Sequence, residues 1–157
     1  MSFNPEALLD ITSDSPMATR EKLLPEGDYE GEIKEIKGRT TTSEKGTFNW
    51  LDFQVEISGN NLAPNGQTVS EIVGRPSTRV RYGISIDIND AGGLESSEGK
   101  NIALGRLRAA VNQNEKGTPW SPRKLIGARA RFGVKHRFDK NDPSIVYQEI
   151  KTVRALG

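Results

Sequence analysis

The feature that most constrains this chain is a strict alternation of polar and apolar side chains over residues 79–88. Val80, Tyr82, Ile84, Ile86 and Ile88 form one set, and Arg79, Arg81, Gly83, Ser85 and Asp87 the other. A period of two is the signature of a β-strand with one face in a core and one in water. Residues 48–57 repeat the pattern, with Leu51, Phe53, Val55 and Ile57 opposed to Phe48, Trp50, Asp52, Gln54 and Glu56. Residues 128–138 do so again: Ala128, Ala130, Phe132, Val134, His136 and Phe138 share parity, and Arg129, Arg131, Lys135 and Arg137 lie opposite. A first strand opens at the turn Glu26-Gly27-Asp28 and runs through Tyr29, Gly31 and Ile33. It then changes parity to reach Ile36, the mark of a bulge. A fifth strand is predicted over residues 145–153.

Between these strands, residues 59–76 make a long loop in which Val69 to Val73 offers a short additional strand. Leu104, Leu107 and Val111, flanked by Ala103 and Ala110, fall on one side of a helix predicted over residues 100–113. Residues 1–26 hold a short helix, with Asn4 as its cap and Pro5 in its first turn, and otherwise read as an arm or linker. The domain proper is residues 27–157. Three strands, one helix and two strands leave two exposed edges if the sheet stays open, whereas a small barrel with the helix at one end removes both. The expected fold is mainly β, a five-stranded OB-fold-like barrel with one helix between strands 3 and 4. A β-sandwich with an accessory helix is the alternative.

Catalysis finds little support. The chain has no cysteine and one histidine, His136, so thiolate nucleophiles, histidine triads and multi-histidine metal sites have almost nothing to build on. Asp87, Asn89 and Asp90 read as a strand end and turn rather than a magnesium site. Residues 93–100 miss the phosphate-loop spacing, and neither Gly-x-Ser-x-Gly nor Gly-x-Gly-x-x-Gly occurs. We therefore expect no enzyme, no cofactor and no metal site. No run approaches the eighteen or so apolar residues of a membrane span, and no leader pattern is visible, so a cytoplasmic protein without a membrane partner is expected.

Charge is segregated along the chain. Residues 1–74 carry 6 basic and 13 acidic side chains, residues 75–137 carry 13 and 5, and the whole nets only +1. The basic stretch is able to face a polyanion. Phe48 and Trp50 point outward from the second strand and Arg79 and Arg81 from the third, its expected neighbour, making a platform for unpaired bases. Each stacked base is worth about 1–3 kcal/mol. The loop between the first two strands adds Lys45, and that between the last two adds Lys140. For the stripe Arg129, Arg131, Lys135 and Arg137 two readings stand: nucleic-acid contact, or ion pairs with Glu30 and Glu32 of the first strand. Trp120, between prolines in a basic loop, is a stacking candidate or a hydrophobic anchor. Arg106 and Arg108 read as a solvated helix face.

Four segments carry a family resemblance: Pro25-Glu26-Gly27-Asp28-Tyr29; Lys45-Gly46 before Phe48-Asn49-Trp50-Leu51; Gly99-Lys100-Asn101-Ile102-Ala103-Leu104-Gly105-Arg106-Leu107-Arg108; and Leu125-Ile126-Gly127. Over roughly residues 22–155 the chain resembles bacteriophage early proteins of the DUF669-like group. The resemblance implies an OB-fold and a sequence-nonspecific single-stranded-DNA-binding protein of phage DNA replication or recombination. It implies further that the protein acts in the infected host's cytoplasm with single-stranded DNA and phage replication or recombination proteins as partners, and a homo-oligomer is compatible with it. A different class also fits the residues: a structural or host-inhibitory protein-interaction module on the same fold.

Overall fold

A computed structural model of the chain describes residues 4–20 and 22–157. Five antiparallel strands form one sheet: β1 (Gly27–Ser43), β2 (Gly46–Ser58), β3 (Ser77–Ile86), β4 (Arg129–Phe138) and β5 (Val146–Arg154). Their spatial order is β3-β2-β1-β4-β5. Two α-helices, α1 (Val69–Val73) and α2 (Ile102–Ala110), and two 3-10 turns, Pro5–Asp10 and Pro122–Leu125, accompany them.

The sheet curls over its apolar face. Tyr82 of β3 meets Phe132 of β4 edge-on with ring centroids 6.4 Å apart, although the two strands are not neighbours in the sheet, and Phe53 lies 5.9 Å from Tyr82 on the other side. Around these rings pack Tyr29, Ile33, Val55, Ile57, Val80 and Val134, all buried. The edge strands β3 and β5 come into contact, but no hydrogen-bonded ladder joins them. All five strands lie in one sheet, so the two-sheet sandwich is not formed, and the expected closure into a barrel is not made by strand pairing. The helix α2, with Leu104 and Leu107 buried, packs against both edge strands instead. A covering helix is one of the standard ways to protect a sheet edge.

The bulge inferred from parity lies between Ile33 and Glu35, where the β1–β2 register shifts. Before it Tyr29, Gly31 and Ile33 face the core; after it Ile36 stands opposite Phe53 and Gly38 opposite Leu51. Past Ile36 the strand continues to Ser43. Since β2 meets β3 only from Asn49 onward, Thr41–Ser43 and Gly46–Phe48 extend as a two-stranded ribbon beyond the third strand.

Two local expectations are corrected. Val69–Val73 is a helix rather than a strand: the Thr68 hydroxyl accepts from the Glu71 amide, the Glu71 carboxylate accepts from the Thr68 amide, and Gly74 closes the turn at φ 72°. That reciprocal cap outweighs the β-branched composition of so short a segment. The helix expected over residues 100–113 is shorter because Asn101 and Asn112 take left-handed backbone angles, φ 52° and 60°, at its two ends. Asn101 is held there by its own side chain, which accepts from the Asp87 amide and donates to the carbonyls of Asp87 and Glu95.

The chain ahead of β1 is tied to the β4–β5 hairpin. Leu24 is fully buried, its amide donates to Gln148 Oε1, and its carbonyl accepts from His136 Nε2 at 2.6 Å. The Glu26 carboxylate accepts from the His136 amide, and that bond, foremost, holds the Glu26 carboxyl below its ordinary range. His136 is thus a latch for the incoming segment.

Candidate nucleic-acid interface

The outward face of β1, β2 and β3 centres on Asp52. Its parity on β2 points it away from the core, and the register sets Lys37 and Gly83 beside it, with Arg39 and Arg81 one diagonal step away. Arg39 Nε donates to Asp52 Oδ2 at 2.7 Å and Arg81 Nη2 to Asp52 Oδ1 at 2.7 Å. Partial burial acts to raise the Asp52 carboxyl, but the bonds from Arg39 and Arg81 together with their charges outweigh it and hold it below its ordinary value. The bond to Asp52 likewise raises the Arg39 guanidinium above its ordinary value.

Trp50 stands directly opposite Arg39 on the same face. The guanidinium lies over the indole, 5.1 Å from its centroid, and the indole N–H donates to Thr41 Oγ1 at 3.0 Å. Ring plane and ring rotation are therefore both fixed before any ligand arrives. Phe48 follows at the same parity on the free ribbon and is 44% exposed. Lys45 occupies the ribbon's two-residue tip, its amide bonded to Ser43 Oγ.

Because the sheet curls, this face meets β4 and β5. A cleft of about 280 Å³ is lined by Arg39, Trp50, Arg81, Arg137, Glu149 and Lys151, residues from all five strands. Glu149 repeats the pattern of Asp52: Lys151 Nζ lies 3.0 Å and Arg137 Nε 3.4 Å from its Oε1. That oxygen is buried, and neither cation is aligned for a hydrogen bond with it. In and under the cleft, then, four cations share two carboxylates, which leaves a net positive charge held at fixed positions.

The other sequence candidates lie apart from this cleft. Arg79 is exposed and 3.5 Å from Glu35. Arg129 bonds Glu30 at 2.7 Å, and it lines a second cleft of about 290 Å³ with Glu30, Glu32 and Glu56. The stripe on β4 is therefore divided. Arg129 takes the ion-pair alternative, Arg131 stands opposite Glu30 and Arg154, Lys135 stands opposite Glu149, and Arg137 reaches the basic cleft and also lies over the Tyr147 ring. Trp120 packs half-buried against the core, donates to Gln113 Oε1 at 2.8 Å, and carries Arg108 over its ring at 4.1 Å. It is an anchor of its loop, and Arg108 belongs to that anchor rather than to a solvated face.

Sequence reasoning missed Arg39, Glu149 and Lys151. Arg39 lies past Ile36, in a stretch whose side chains were assigned to neither face, although the continuing run of threonines is a strand signal. Glu149 and Lys151 reach the cleft only through curling of the sheet, a non-local event with no local signature. Among the described residues, no group of three or more His, Cys, Asp or Glu is placed to hold a metal ion, and no helix is long and apolar enough to cross a membrane. No family model matches the chain, and no curated protein is found similar to it.

Proposed function

We propose that this chain is a single-stranded-DNA-binding protein that holds its ligand by base stacking and phosphate contacts without reading sequence, and that it serves phage DNA replication or recombination in the cytoplasm of the infected host. The observation that carries the reading is the basic cleft: an oriented indole beside four cations that share two carboxylates. An indole fixed by Arg39 and Thr41 offers a π-face at little further entropic cost, and excess guanidinium charge suits phosphate. Stacking on an indole needs an unpaired base, which favours a flexible single strand over a duplex. In an OB-fold barrel the face of strands 2 and 3 and the loop between strands 1 and 2 take the ligand, and a strand order of β3-β2-β1-β4-β5 with α2 between β3 and β4 supports reading this sheet in that way. In this reading Phe48 and Lys45 extend the path along the ribbon, and no chemistry is catalysed. The resemblance to DUF669-like early proteins points the same way.

The test is fluorescence anisotropy with a labelled single-stranded oligonucleotide, a duplex of the same sequence and an RNA strand, at two salt concentrations. Wild type is expected to prefer the single strand and to weaken steeply with salt. The double variant Trp50→Ala/Arg81→Ala, checked for unchanged circular dichroism, is expected to lose at least tenfold in affinity. Absence of binding at low salt would overturn the proposal in favour of a protein-interaction module.

A further inference from the structure

Two features outside the cleft have opposite character and, among the described residues, no partner within the chain. The first is the N-terminal arm. Residues 4–19 contain Glu6, Asp10 and Asp14 but no lysine or arginine. Within the same stretch Leu8, Leu9, Ile11 and Met17 are 57, 88, 64 and 74% exposed. Its side-chain hydrogen bonds are all local, from Asn4 to Glu6 and among Ser13, Asp14 and Ser15. The chain is fastened from Arg20 onward, where the guanidinium lies over the Tyr147 ring and donates to the Val146 carbonyl.

The second feature is a groove of about 430 Å³ along α2, lined on its apolar side by Leu94, Ile102 and Leu104 and on its charged side by Lys100, Arg106 and Arg108 against one carboxylate, Glu95. Ile102 is half-exposed at its mouth. Lys100 and Arg106 are exposed and have no carboxylate partner among the described residues. No arm residue lines the groove. An acidic segment with bare leucines and a basic groove with a bare isoleucine are complementary in both charge and polarity. Contiguous apolar surface of this kind on a polar chain marks an interaction site.

We infer that the arm of one copy docks in the α2 groove of a second copy of this chain, with Leu8, Leu9 and Ile11 against Ile102 and Ala109 and the three carboxylates facing Lys100 and Arg106. Seventeen residues from Asn4 to Arg20 extend to about 55 Å, ample to reach a neighbour. Because the two surfaces differ, the contact is heterologous: two copies satisfy each other by exchanging arms, and where the exchange is not reciprocated the contact passes on head-to-tail. The inference does not rest on nucleic-acid binding.

The test is sedimentation velocity of the full chain without nucleic acid, over a hundredfold range of concentration and at two salt concentrations. Wild type is expected to associate progressively, and less so at high salt. A variant with a basic arm, Glu6→Lys/Asp10→Lys/Asp14→Lys, and a variant with an acidic groove, Lys100→Glu/Arg106→Glu, should each associate at least tenfold more weakly. All five positions are exposed, so both variants are expected to keep the wild-type circular dichroism. Mixed one to one, they should associate again, since each arm then meets a groove of opposite sign on the other variant. A wild type that stays monomeric throughout, including one whose arm folds onto its own groove, overturns the inference. So do single variants that associate like wild type, or a mixture that does not.

Discussion

The outer surface of one sheet carries two clefts of nearly equal size, about 280 Å³ and 290 Å³, both lined by arginine and glutamate and opposite in sign. In the acidic cleft, where β1 meets β4, glutamates outnumber arginine: Glu30, Glu32 and Glu56 face Arg129. In the basic cleft each carboxylate serves two cations. The fold supplies concavity to both, and the stoichiometry of charge at each register position decides what each will accept. A tally of arginines along β4 does not distinguish them, because Arg129 and Arg137, eight residues apart on one strand, end in different clefts.

The strongest way to break this comparison is to reverse the basic cleft. Arg81→Glu/Lys151→Glu is expected to weaken single-strand binding on the order of a hundredfold, about 2.7 kcal/mol, and to lower the salt dependence by about two contacts. Anisotropy titration over a salt series reads both, and an unchanged slope would place the phosphates elsewhere. Next in size is the seam beneath the acidic cleft. A Cβ added at Gly31 would lie 2.6 Å from Val55 Cγ1 and 3.0 Å from Phe132, so Gly31→Ala should cost about 1–3 kcal/mol in urea unfolding. The equivalent substitution at Gly38, with nothing within 4 Å of the added atom, should cost far less.

A smaller effect sharpens the role of Asp52. Its carboxyl is held below the ordinary value of 3.8 in the folded chain, so its pairing stabilises fully at neutral pH and is lost as pH falls through the native value. Asp52→Asn should therefore cost about 1 kcal/mol at pH 7 and flatten the acid limb of stability, measured by thermal melts from pH 2 to 7. The same variant frees Arg39 and Arg81 and should bind single strands more tightly. The smallest effect is expected at Arg129→Ala: less than about 0.5 kcal/mol in stability and less than twofold in affinity, as for an exposed ion pair. A large loss of affinity there would erase the distinction between the clefts.

Much of this was legible from periodicity alone. Alternation located the second, third and fourth strands, and the shift from Ile33 to Ile36 located the bulge in the first. Trp50 and Arg81 were placed on one outward face because side-chain parity is a local property of a strand. What escaped were effects that act across the chain or against composition. The cap formed by Thr68 and Glu71 turned a β-branched segment into a helix, Arg108 found Trp120 in the loop that follows α2, and Lys151 came to line one cleft with Arg81 only when the edges of the sheet approached. Open or closed, the sheet was beyond parity: strand order fixes which edges exist, while packing of α2 decides how they are covered.

The bulge in β1 has a reach greater than its one residue. Before it odd-numbered side chains point inward, and after it even-numbered ones do, so the two halves of a 17-residue strand obey opposite rules. Were the bulge ironed out with Lys34 kept in the ladder, a single rule would hold along the strand. Arg39 would then turn toward the core and Gly38 toward solvent, Asp52 would keep one guanidinium instead of two, and Trp50 would lose the cation that orients it. A single inserted residue thus acts as a switch in the wiring between sequence position and surface, and the chemistry of the distal face depends on a count made before the strand reaches it.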